Sequence, residues 1–352
     1  MEITEKEVPG YEKVVFGVDS PAGYHGIIII HSTALGPAVG GTRLWQYPNN
    51  DAALTDGLRL ARGMTYKNAL ADVPFGGGKS IVMDNGNGAD RAAIFRAHGR
   101  LVESLAGKYI TAEDVGTSPG DMEFVLQETQ HVAGLQSRSG DPSPRTARGV
   151  FRAMQAAAKY RWGNDDLSGK TVAIQGCGHV GYHLGGELHR AGAKLIVTDV
   201  DQERVKRMVT DYGARSVSLE DIYSAPADIF APCALGGVIN DQTIPKLGAK
   251  MVVGAANNQL LEPRHGDLLE ERGILYAPDY AANAGGIING CCLERMGWTA
   301  EQTAQKLEAI YDTLLKIFHI AEREHIPTYK AADHLAEHRL AGAASLSHAA
   351  KS

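Results

Sequence analysis

Two lysines lie close to a glycine triplet in the stretch YKNALADVPFGGGK, which covers residues 66–79. Consecutive glycines let the backbone approach a ligand closely or adopt a positive φ, and Lys79 directly follows the predicted turn that they end. When Lys67 and Lys79 face one pocket, repulsion and burial both disfavour charge, so that one of them loses its proton near neutral pH. A neutral amine at that pH can act as a general base. The stretch therefore predicts a catalytic lysine.

A second motif predicts a dinucleotide site. Gly176, Gly178 and Gly181 match the pattern GxGxxG, after the apolar run TVAIQ and before a predicted helix. The first glycine allows the tight turn, the second admits the diphosphate at the helix N-terminus, and the third lets helix and strand pack. Asp199 ends the next strand, where it would hold both ribose hydroxyls and repel a 2′-phosphate. With all these parts present, a dinucleotide site is favoured over a glycine-rich turn that binds no ligand. Asp199 favours NAD over NADP as the cofactor.

Two further motifs have simpler explanations than catalysis. Residues 116–120 read GTSPG, a serine hydrolase pattern, but Pro119 lacks the backbone N–H that the oxyanion hole needs. We therefore expect Ser118 to cap a helix, with Pro119 at its first position. Residues 334–338 read HLAEH, a zinc-peptidase pattern, but few residues follow to supply a third ligand. A solvated helix face is the better explanation, and no metal site is predicted.

Length and composition bound the class of protein. At 352 residues the chain is long enough for two domains, and its net charge of −6 without a basic stripe argues against a nucleic-acid partner. No segment approaches the length of a membrane span, and the N-terminus lacks the apolar core of a secretory signal. Four cysteines are too few for a disulfide framework, so a reduced cytoplasmic protein is expected.

The elements that position these residues follow from periodicity. A helix is predicted over residues 51–71, with Lys67 in its last turn, and a strand over 108–112 that delivers Asp114 to its carboxyl end. A loop over 139–149 is the candidate domain boundary. Beyond it, helices alternate with buried strands, which indicates a parallel sheet. These strands are predicted at residues 171–175, 195–199, 228–232, 251–255 and 274–277, and they are followed by a long helix from 300 to about 324 and a short C-terminal helix.

Taken in order, eight motifs identify a family. They are GGTR (40–43), GMTYK (63–67), GGGK (76–79), TAEDVG (111–116), the GxGxxG turn (176–181), APCALGG (231–237), GAANNQL (254–260) and YAANAGGIIN (280–289). With them nearly the whole chain resembles the Glu/Leu/Phe/Val amino-acid dehydrogenases, in the branch of leucine, valine, phenylalanine and tryptophan dehydrogenases. The resemblance implies a homo-oligomeric enzyme that interconverts an apolar L-amino acid with its 2-oxo acid and ammonium, using NAD.

The resemblance also implies an α/β fold of two domains with a cleft between them. The substrate-binding, oligomerisation and catalytic domain would cover residues 1–138 and be joined by a C-terminal helix at 329–352. A doubly wound Rossmann-type NAD-binding domain would cover residues 139–328. Hinges would lie near 139–149 and 325–330.

Catalytic roles follow from the resemblance, residue by residue. Lys67 would pair with the substrate α-carboxylate, Lys79 would be the base that activates water, and Asp114 would transfer protons to and from the amino group. The chemistry fits these residue types, because deamination needs a fixed cation, a neutral amine and a proton-carrying carboxylate. Lys67 would also depress the pKa of Lys79, while Asp114 opposes full depression.

The remaining site residues are likewise implied by the resemblance. Substrate-binding residues would be Gly40, Gly41 and Asn283 for the polar groups, and Val39, Met64, Ala112, Ile287 and Gly290 for the apolar side chain. Cofactor-binding residues would be Gly176, Gly178, His179, Val180, Gly181, Asp199, Thr146, Cys233, Ala234, Leu235 and Asn257.

The apolar pocket bears on the choice of substrate. None of its residues is charged, so the distal carboxylate of glutamate would be desolvated without a partner. Gly290 stands where a branched aliphatic residue is usual in leucine-type relatives, and Ala282 is a second departure from that pattern. Because both are small, we expect a deep pocket that admits a leucine-like or an aromatic side chain such as that of phenylalanine.

Two other classes of function stay open at this point. A catalytically silent NAD-binding homologue would lack one of Lys67, Lys79 and Asp114, whereas all three are present. An NAD-dependent dehydrogenase of another small acid, such as a hydroxy acid, would rely on a histidine with a carboxylate partner rather than a lysine base.

Overall fold

The structure is a computed structural model that describes residues 1–84, 86, 90–135 and 140–349. The chain forms two compact units. Unit 1 comprises residues 1–140, 290–298 and those from 336 onward, and unit 2 comprises residues 141–289 and 299–335. The predicted boundary at 138–139 lies outside the described residues. The units differ from the predicted domains in that 290–298 group with unit 1 and 329–335 with unit 2.

Unit 1 is built on a mixed six-stranded sheet in the order β1-β2-β3-β5-β4-β6. Its strands are β1 (Glu2–Glu5), β2 (Lys13–Asp19), β3 (Tyr24–Ser32), β4 (Ala38–Trp45), β5 (Gly76–Met83) and β6 (Tyr109–Glu113). Its helices are α1 (Asn50–Ala71), α2 (Arg91–Glu103) and α3 (Pro119–Leu126), with a 3₁₀ turn at Ser20–Ala22. β4 pairs in parallel with both β5 and β6, whereas β3 pairs antiparallel with β5.

The central strands of the sheet in unit 1 are buried on both faces, whereas the edge strand β1 is exposed. The run Ile27–Ile30 in β3 is almost wholly inaccessible, as its continuous apolar sequence predicts. Ile27 and Ile29 pack with α1 residues such as Leu54, while Ile28 and Ile30 pack with α2 residues such as Leu101. Helix α1 therefore covers one face of the sheet and α2 the other.

Unit 2 is built on a six-stranded parallel sheet in the order β12-β11-β10-β7-β8-β9. Its elements up to residue 289 are α4 (Ser143–Trp162), β7 (Thr171–Gln175), α5 (His179–Arg190), β8 (Lys194–Thr198), α6 (Gln202–Tyr212), β9 (Arg215–Ser216), α7 (Asp221–Ser224), β10 (Ile229–Pro232), a 3₁₀ turn (Ile244–Lys246), β11 (Met251–Val252), α8 (Arg264–Glu271), β12 (Leu275–Tyr276), α9 (Asp279–Ala282) and α10 (Gly285–Asn289). The strand order reverses between β7 and β10, which makes their carboxyl ends the topological switch point of a Rossmann-type sheet.

The remaining chain is helical. A π-helix over Gly290–Arg295 belongs to unit 1, and α11 (Ala300–Glu308) and α12 (Ile310–Glu324) belong to unit 2. Helix α13 (Thr328–Ala349) ends the described chain. None of the helices among the described residues is long and apolar enough to cross a membrane.

Three predicted elements need correction. Residues 143–149 are not loop but the start of α4, because proline is tolerated in a first helical turn and Asp141 accepts a hydrogen bond from the Ser143 backbone N–H. The predicted helix 300–324 is interrupted at Ala309. The C-terminal helix is 22 residues long, close to the 329–352 that the resemblance implies and longer than the short helix that periodicity predicts, since its alanine-rich sequence favours helix.

Candidate active site and nucleotide-binding turn

Lys79 lies within β5 on the face of the sheet that α1 covers. Its side chain is 5% exposed, and its Nζ lies 2.8 Å from Oδ2 of Asp114, which directly follows β6. The predicted delivery of Asp114 by this strand is therefore confirmed. The two residues are brought together because β4 pairs with β5 on one side and with β6 on the other.

The glycines before Lys79 act differently from what the sequence suggested. Gly76, Gly77 and Gly78 belong to β5 rather than to a turn, and none of them has a positive φ. A Cβ on Gly77 would lie 2.0 Å from the Thr65 backbone nitrogen, and one on Gly40 would lie 1.8 Å from the Gly78 carbonyl oxygen. The missing side chains therefore let α1 and β4 approach the strand that carries the lysine.

Arg43, which was not among the predicted site residues, completes the charged group. Its Nε lies 3.1 Å from Asp114 Oδ2, the oxygen that Lys79 also contacts, and its Nη1 lies 2.9 Å from Asp56 Oδ2 in α1. Tyr47 donates a hydrogen bond of 2.6 Å to the same oxygen of Asp56. The available signal was the arginine of the motif GGTR, at the end of a strand beside the predicted base.

The electrostatics of this group suit a general base. Burial lowers the pKa of Lys79, the Asp114 carboxylate opposes that shift, and the Arg43 charge adds to it. Burial acts to raise the pKa of Asp114, but the charges of Lys79 and Arg43 hold it below its usual range. The arrangement therefore favours an ionised Asp114 beside a lysine that releases its proton more easily than in water.

The loop after β6 is held by its own hydrogen bonds. The Asp114 backbone N–H donates to Thr117 Oγ1, which donates to the Thr42 carbonyl in β4. Ser118 caps α3 in a capping box with Asp121, with Pro119 in the first turn. The capping explanation of this motif is confirmed.

The other predicted substrate residues of unit 1 lie on neighbouring elements. Lys67 is half-buried in the last turn of α1, as predicted, and Met64 lies one turn before it. Gly41 in β4 pairs with Ala112 in β6, and a Cβ on Gly41 would lie 2.8 Å from Asp114 Cβ. Gly41 thus leaves room for the carboxylate. Val39, two residues earlier in β4, is buried.

The predicted nucleotide turn joins β7 to α5 at the switch point of unit 2. Gly176 has a φ of +104°, and a Cβ on Gly181 would lie 2.0 Å from the Gly176 carbonyl oxygen, so both positions require glycine. A Cβ on Gly178 would meet Arg204 Nη1 at 3.7 Å and no closer atom of the described residues. This open position at the N-terminus of α5 fits a diphosphate.

The carboxylate of Asp199 is bound to this turn. Its Oδ2 accepts a hydrogen bond of 2.6 Å from the Cys177 backbone N–H, and its Oδ1 accepts one of 2.9 Å from Asp201. His179 and Val180 form the first turn of α5, where His179 is exposed and lies 3.6 Å from Asp141. The predicted residues 176–181 and 199 therefore form one connected group.

Two further turns lie at the carboxyl edge of the same sheet. Cys233, Ala234 and Leu235 follow β10, and Gly176 packs directly against Ala234. Asn283, after α9, donates from Nδ2 to the Ala255 carbonyl and to Asn257 Oδ1. Its buried Oδ1 has no hydrogen-bond partner among the described residues, which leaves it ready to accept from a bound donor.

The last predicted residues lie on helices. Thr146 is in the first turn of α4, Ile287 is half-buried in α10, and Gly290 begins the π-helix. His334, Glu337 and His338 are all exposed on α13, which confirms a solvated face for the zinc-peptidase motif. Across the described part of the chain, no group of three or more His, Cys, Asp or Glu side chains could hold a metal ion.

A Rossmann-type unit with a glycine turn and a second unit with a buried lysine, in one chain, define the class of nucleotide-dependent dehydrogenases. The sequence models described as "Glu/Leu/Phe/Val dehydrogenase, dimerisation domain" and "Glutamate/Leucine/Phenylalanine/Valine dehydrogenase" match residues 13–131, and 139–202 with 197–347, respectively. The chain belongs to the Glu/Leu/Phe/Val dehydrogenase family, in its branch of branched-chain and aromatic amino-acid dehydrogenases.

Individual relatives agree with this assignment. The chain is 54% identical to leucine dehydrogenase of Geobacillus stearothermophilus, over 95% of this chain and 92% of that one. It is 46% identical to phenylalanine dehydrogenase of Lysinibacillus sphaericus, over 96% and 90%. The crystal structure of L-tryptophan dehydrogenase from Nostoc punctiforme matches with a TM-score of 0.86 and 44% identity, over 95% and 97%. The predicted family, two-domain fold and enzyme class, an oxidoreductase with a nicotinamide cofactor, are confirmed.

Proposed function

We propose that the protein catalyses the reversible oxidative deamination of an apolar L-amino acid to its 2-oxo acid and ammonium, with NAD as cofactor. The observation that carries the proposal is the buried Lys79, with its Nζ 2.8 Å from the Asp114 carboxylate. The relatives named for leucine, phenylalanine and tryptophan support an apolar substrate. The presence of the lysine group favours this reaction over a silent homologue, and a lysine base favours it over a hydroxy-acid dehydrogenase.

The residues of unit 1 account for the steps of the reaction. Lys67 holds the α-carboxylate, and the nicotinamide, when bound, supplies the acceptor for the hydride that leaves Cα. Neutral Lys79 takes a proton from water as the water oxygen attacks the imino carbon. The Lys79 ammonium then passes this proton through Asp114, which it contacts at 2.8 Å, to the amino nitrogen of the carbinolamine. The C–N bond breaks with its electron pair leaving on ammonia, while Lys79 takes the hydroxyl proton and the 2-oxo group forms. Ammonia takes this proton from Lys79 and leaves as ammonium, which returns Lys79 to its neutral form.

The direct test is an assay of the purified protein. With NADH, ammonium and a series of 2-oxo acids, we expect oxidation of NADH with apolar 2-oxo acids and little with 2-oxoglutarate. If the protein binds NADH but turns over none of the amino acids and 2-oxo acids, it is a catalytically silent NAD-binding homologue and the proposed reaction is wrong.

The choice of NAD depends on Asp199. Its carboxylate is anchored by two backbone N–H groups at the end of β8, where a 2′-phosphate would meet a fixed negative charge. Replacing Asp199 with alanine is expected to lower the ratio of kcat/KM for NAD to kcat/KM for NADP about tenfold, because the carboxylate no longer repels the 2′-phosphate. The ratio of kcat/KM for the two cofactors measures this, with D201A as control, since Asp201 caps α6.

The depth of the apolar pocket depends on Gly290. A Cβ on Gly290 would meet no atom of the described residues within 4 Å beyond its helix and chain neighbours. By contrast, Ala282 is fully buried, and its carbonyl oxygen lies 3.4 Å from where a Cβ on Gly149 would be. We propose that the open space at Gly290, together with the small side chain of Ala282, deepens the pocket.

This proposal predicts the order of substrates. The kcat/KM for L-phenylalanine should approach or exceed that for L-leucine, and G290V should lower the phenylalanine value about tenfold while sparing leucine. A strong preference of the unmodified enzyme for L-valine would contradict the deep pocket.

We also propose a homo-oligomer, supported by the family's description of residues 13–131 as a dimerisation domain. The molar mass in solution tests this, since a monomer would have a mass of 37.6 kDa. The cytoplasmic location stays a prediction.

A further inference from the structure

Four charged groups of unit 1 form a chain of alternating sign. Lys79 and Arg43 both contact Oδ2 of Asp114, at 2.8 and 3.1 Å, and Arg43 contacts Oδ2 of Asp56 at 2.9 Å. Arg43, Asp56 and Asp114 are each about four-fifths shielded from solvent, so their charges are only partly screened. The chain runs from a proposed catalytic base to a residue of α1 that has no role in the proposed reaction.

The order of the charges has a consequence for the lysine. Asp114 alone would hold Lys79 in its protonated form, since an opposite charge at contact distance stabilises the ammonium. Arg43 sits on the same carboxylate oxygen and therefore offsets much of this effect. Asp56 in turn offsets part of the charge of Arg43, and Tyr47 anchors Asp56 with a hydrogen bond of 2.6 Å.

We propose that Arg43 and Asp56 are positioning residues that set the protonation of Lys79 in opposite directions, with Arg43 favouring the neutral amine and Asp56 the ammonium. The inference rests on the proposed role of Lys79 as the base. The directions agree with the effects of the two charges on the pKa of Lys79, which is lowered mainly by burial. An ion pair that merely fastened β4 to α1 would not give opposite effects.

Other titratable groups lie on the elements packed against Lys79. On α1, Arg59 lies 3.3 Å from Asp56 Oδ1. In β3, His31 is hydrogen-bonded to Thr65, and burial lowers its pKa. The titratable and charged residues of these elements are Tyr24, His25 and His31 in β3, Arg43 in β4 and Tyr47 after it, Asp51, Asp56, Arg59, Arg62, Tyr66 and Lys67 in α1, and Tyr109 and Glu113 in β6 with Asp114 after it.

The test is the pH dependence of kcat for deamination, in which the rate rises with pH as Lys79 loses its proton. We call the rising part of this pH profile the acid limb. Removing the Arg43 charge in R43Q should raise the pKa of Lys79 and move the acid limb to higher pH by about one pH unit. D56N should move it to lower pH, by less, since Asp56 is further along the chain. R43K keeps the charge and should restore the position of the limb, although not the full rate, because lysine lacks the two-pronged geometry.

A matched control separates this effect from a general loss of an ion pair. R100Q removes an arginine of unit 1 that pairs with Asp19 at 3.0 Å, and its acid limb should coincide with that of the unmodified enzyme. Circular dichroism and NADH binding check the folding of each variant. Should R43Q fail to fold, D56N and R43K still test the proposal.

The proposal is overturned when folded, active R43Q and D56N keep the acid limb of the unmodified enzyme, or when both move it in the same direction. Failure of the proposed function looks different. In that case K79A would retain the acid limb and the rate, whatever Arg43 and Asp56 do.

Discussion

The two faces of the sheet in unit 1 solve the problem of buried polar groups in different ways. Side chains alternate along a strand, so Arg43 and Lys79 point toward α1 while their neighbours Thr42 and Ser80 point toward α2. The face under α1 carries paired charges, and we refer to it as the charged face. The face under α2, the neutral face, carries hydroxyl groups and a histidine.

The polar side chains of the neutral face are buried and hydrogen-bonded to one another. Thr42 Oγ1 lies 2.8 Å from Ser80 Oγ and 3.0 Å from His98 Nε2, and the Tyr24 hydroxyl lies 3.0 Å from His98 Nδ1. The Tyr109 hydroxyl donates a hydrogen bond of 2.7 Å to the Gly40 carbonyl. All of these side chains are buried, and burial lowers the pKa of His98 to about 3, which keeps its imidazole neutral.

The difference between the two faces indicates which of them can carry reactive side chains. A buried charge is tolerated when it is paired, and removing its partner is costly because the remaining charge is uncompensated. A neutral hydrogen-bonded network can be closed to solvent, and it fixes the positions of the strands without taking part in chemistry. The charged face should therefore govern activity, and the neutral face should govern stability.

The largest effect should come from removing the base on the charged face. K79A is expected to lower kcat about 10³-fold, because a general base contributes factors of this order. NADH binding should persist, since the nucleotide turn belongs to unit 2. Partial rescue by small primary amines in the assay would tie the loss to the missing amine, whereas full activity of K79A would contradict the assignment.

The second effect tests the partner of the lysine. D114N is expected to lower kcat about 10²-fold, since the amide cannot carry a proton. Because the Asp114 charge favours the ammonium form of Lys79, its loss should also move the acid limb of the residual rate to lower pH. Pre-steady-state and steady-state rates against pH measure both effects, and an unchanged rate would remove Asp114 from the mechanism.

Much of the charged face could be predicted from local sequence. The periodicity of residues 51–71 predicts the helix that carries Lys67, and the strand before Asp114 predicts where that carboxylate lies. In unit 2, the glycine turn at 176–181 is recognisable because a strand, the turn, a helix and an aspartate at the end of the next strand follow one another in the chain. The features predicted in both units depend on residues close together in the chain.

The rest depends on pairing between distant residues. That Arg43 and Lys79 share a face, and share one oxygen of Asp114, follows from the insertion of β4 between β5 and β6, which no local pattern encodes. The same holds for the glycine triplet, whose need for small residues comes from contacts with α1, β3 and β6. His98 was not predicted to be a network residue, because its partners lie on four separate strands.

The third effect belongs to the neutral face. H98L should lower the free energy of unfolding by about 2 kcal/mol, because the buried hydroxyls of Tyr24 and Thr42 lose a partner. The kcat per folded molecule should stay unchanged. Denaturant unfolding and an assay at low temperature measure the two quantities, and a loss of kcat without a loss of stability would break the division between the faces.

The smallest effect, measured between pH 7 and 5.5, concerns the pH dependence of stability. Folded protein keeps His98 neutral down to a pH of about 3, whereas the unfolded chain binds a proton near its ordinary value of 6.5. Between these values the unfolded state binds more protons, so stability is highest above pH 6.5 and falls as the pH falls, by about 1.4 kcal/mol for each pH unit.

The carboxylates with lowered pKa values, Asp19, Asp56 and Asp114 among them, act in the same direction at lower pH, so His98 must be isolated by difference. H98Q keeps a hydrogen-bonding side chain but cannot titrate. Between pH 7 and 5.5, the free energy of unfolding of the unmodified protein should therefore fall more steeply than that of H98Q. Parallel curves would mean that His98 is protonated in the folded state, and the neutral face would then carry a charge as the other face does.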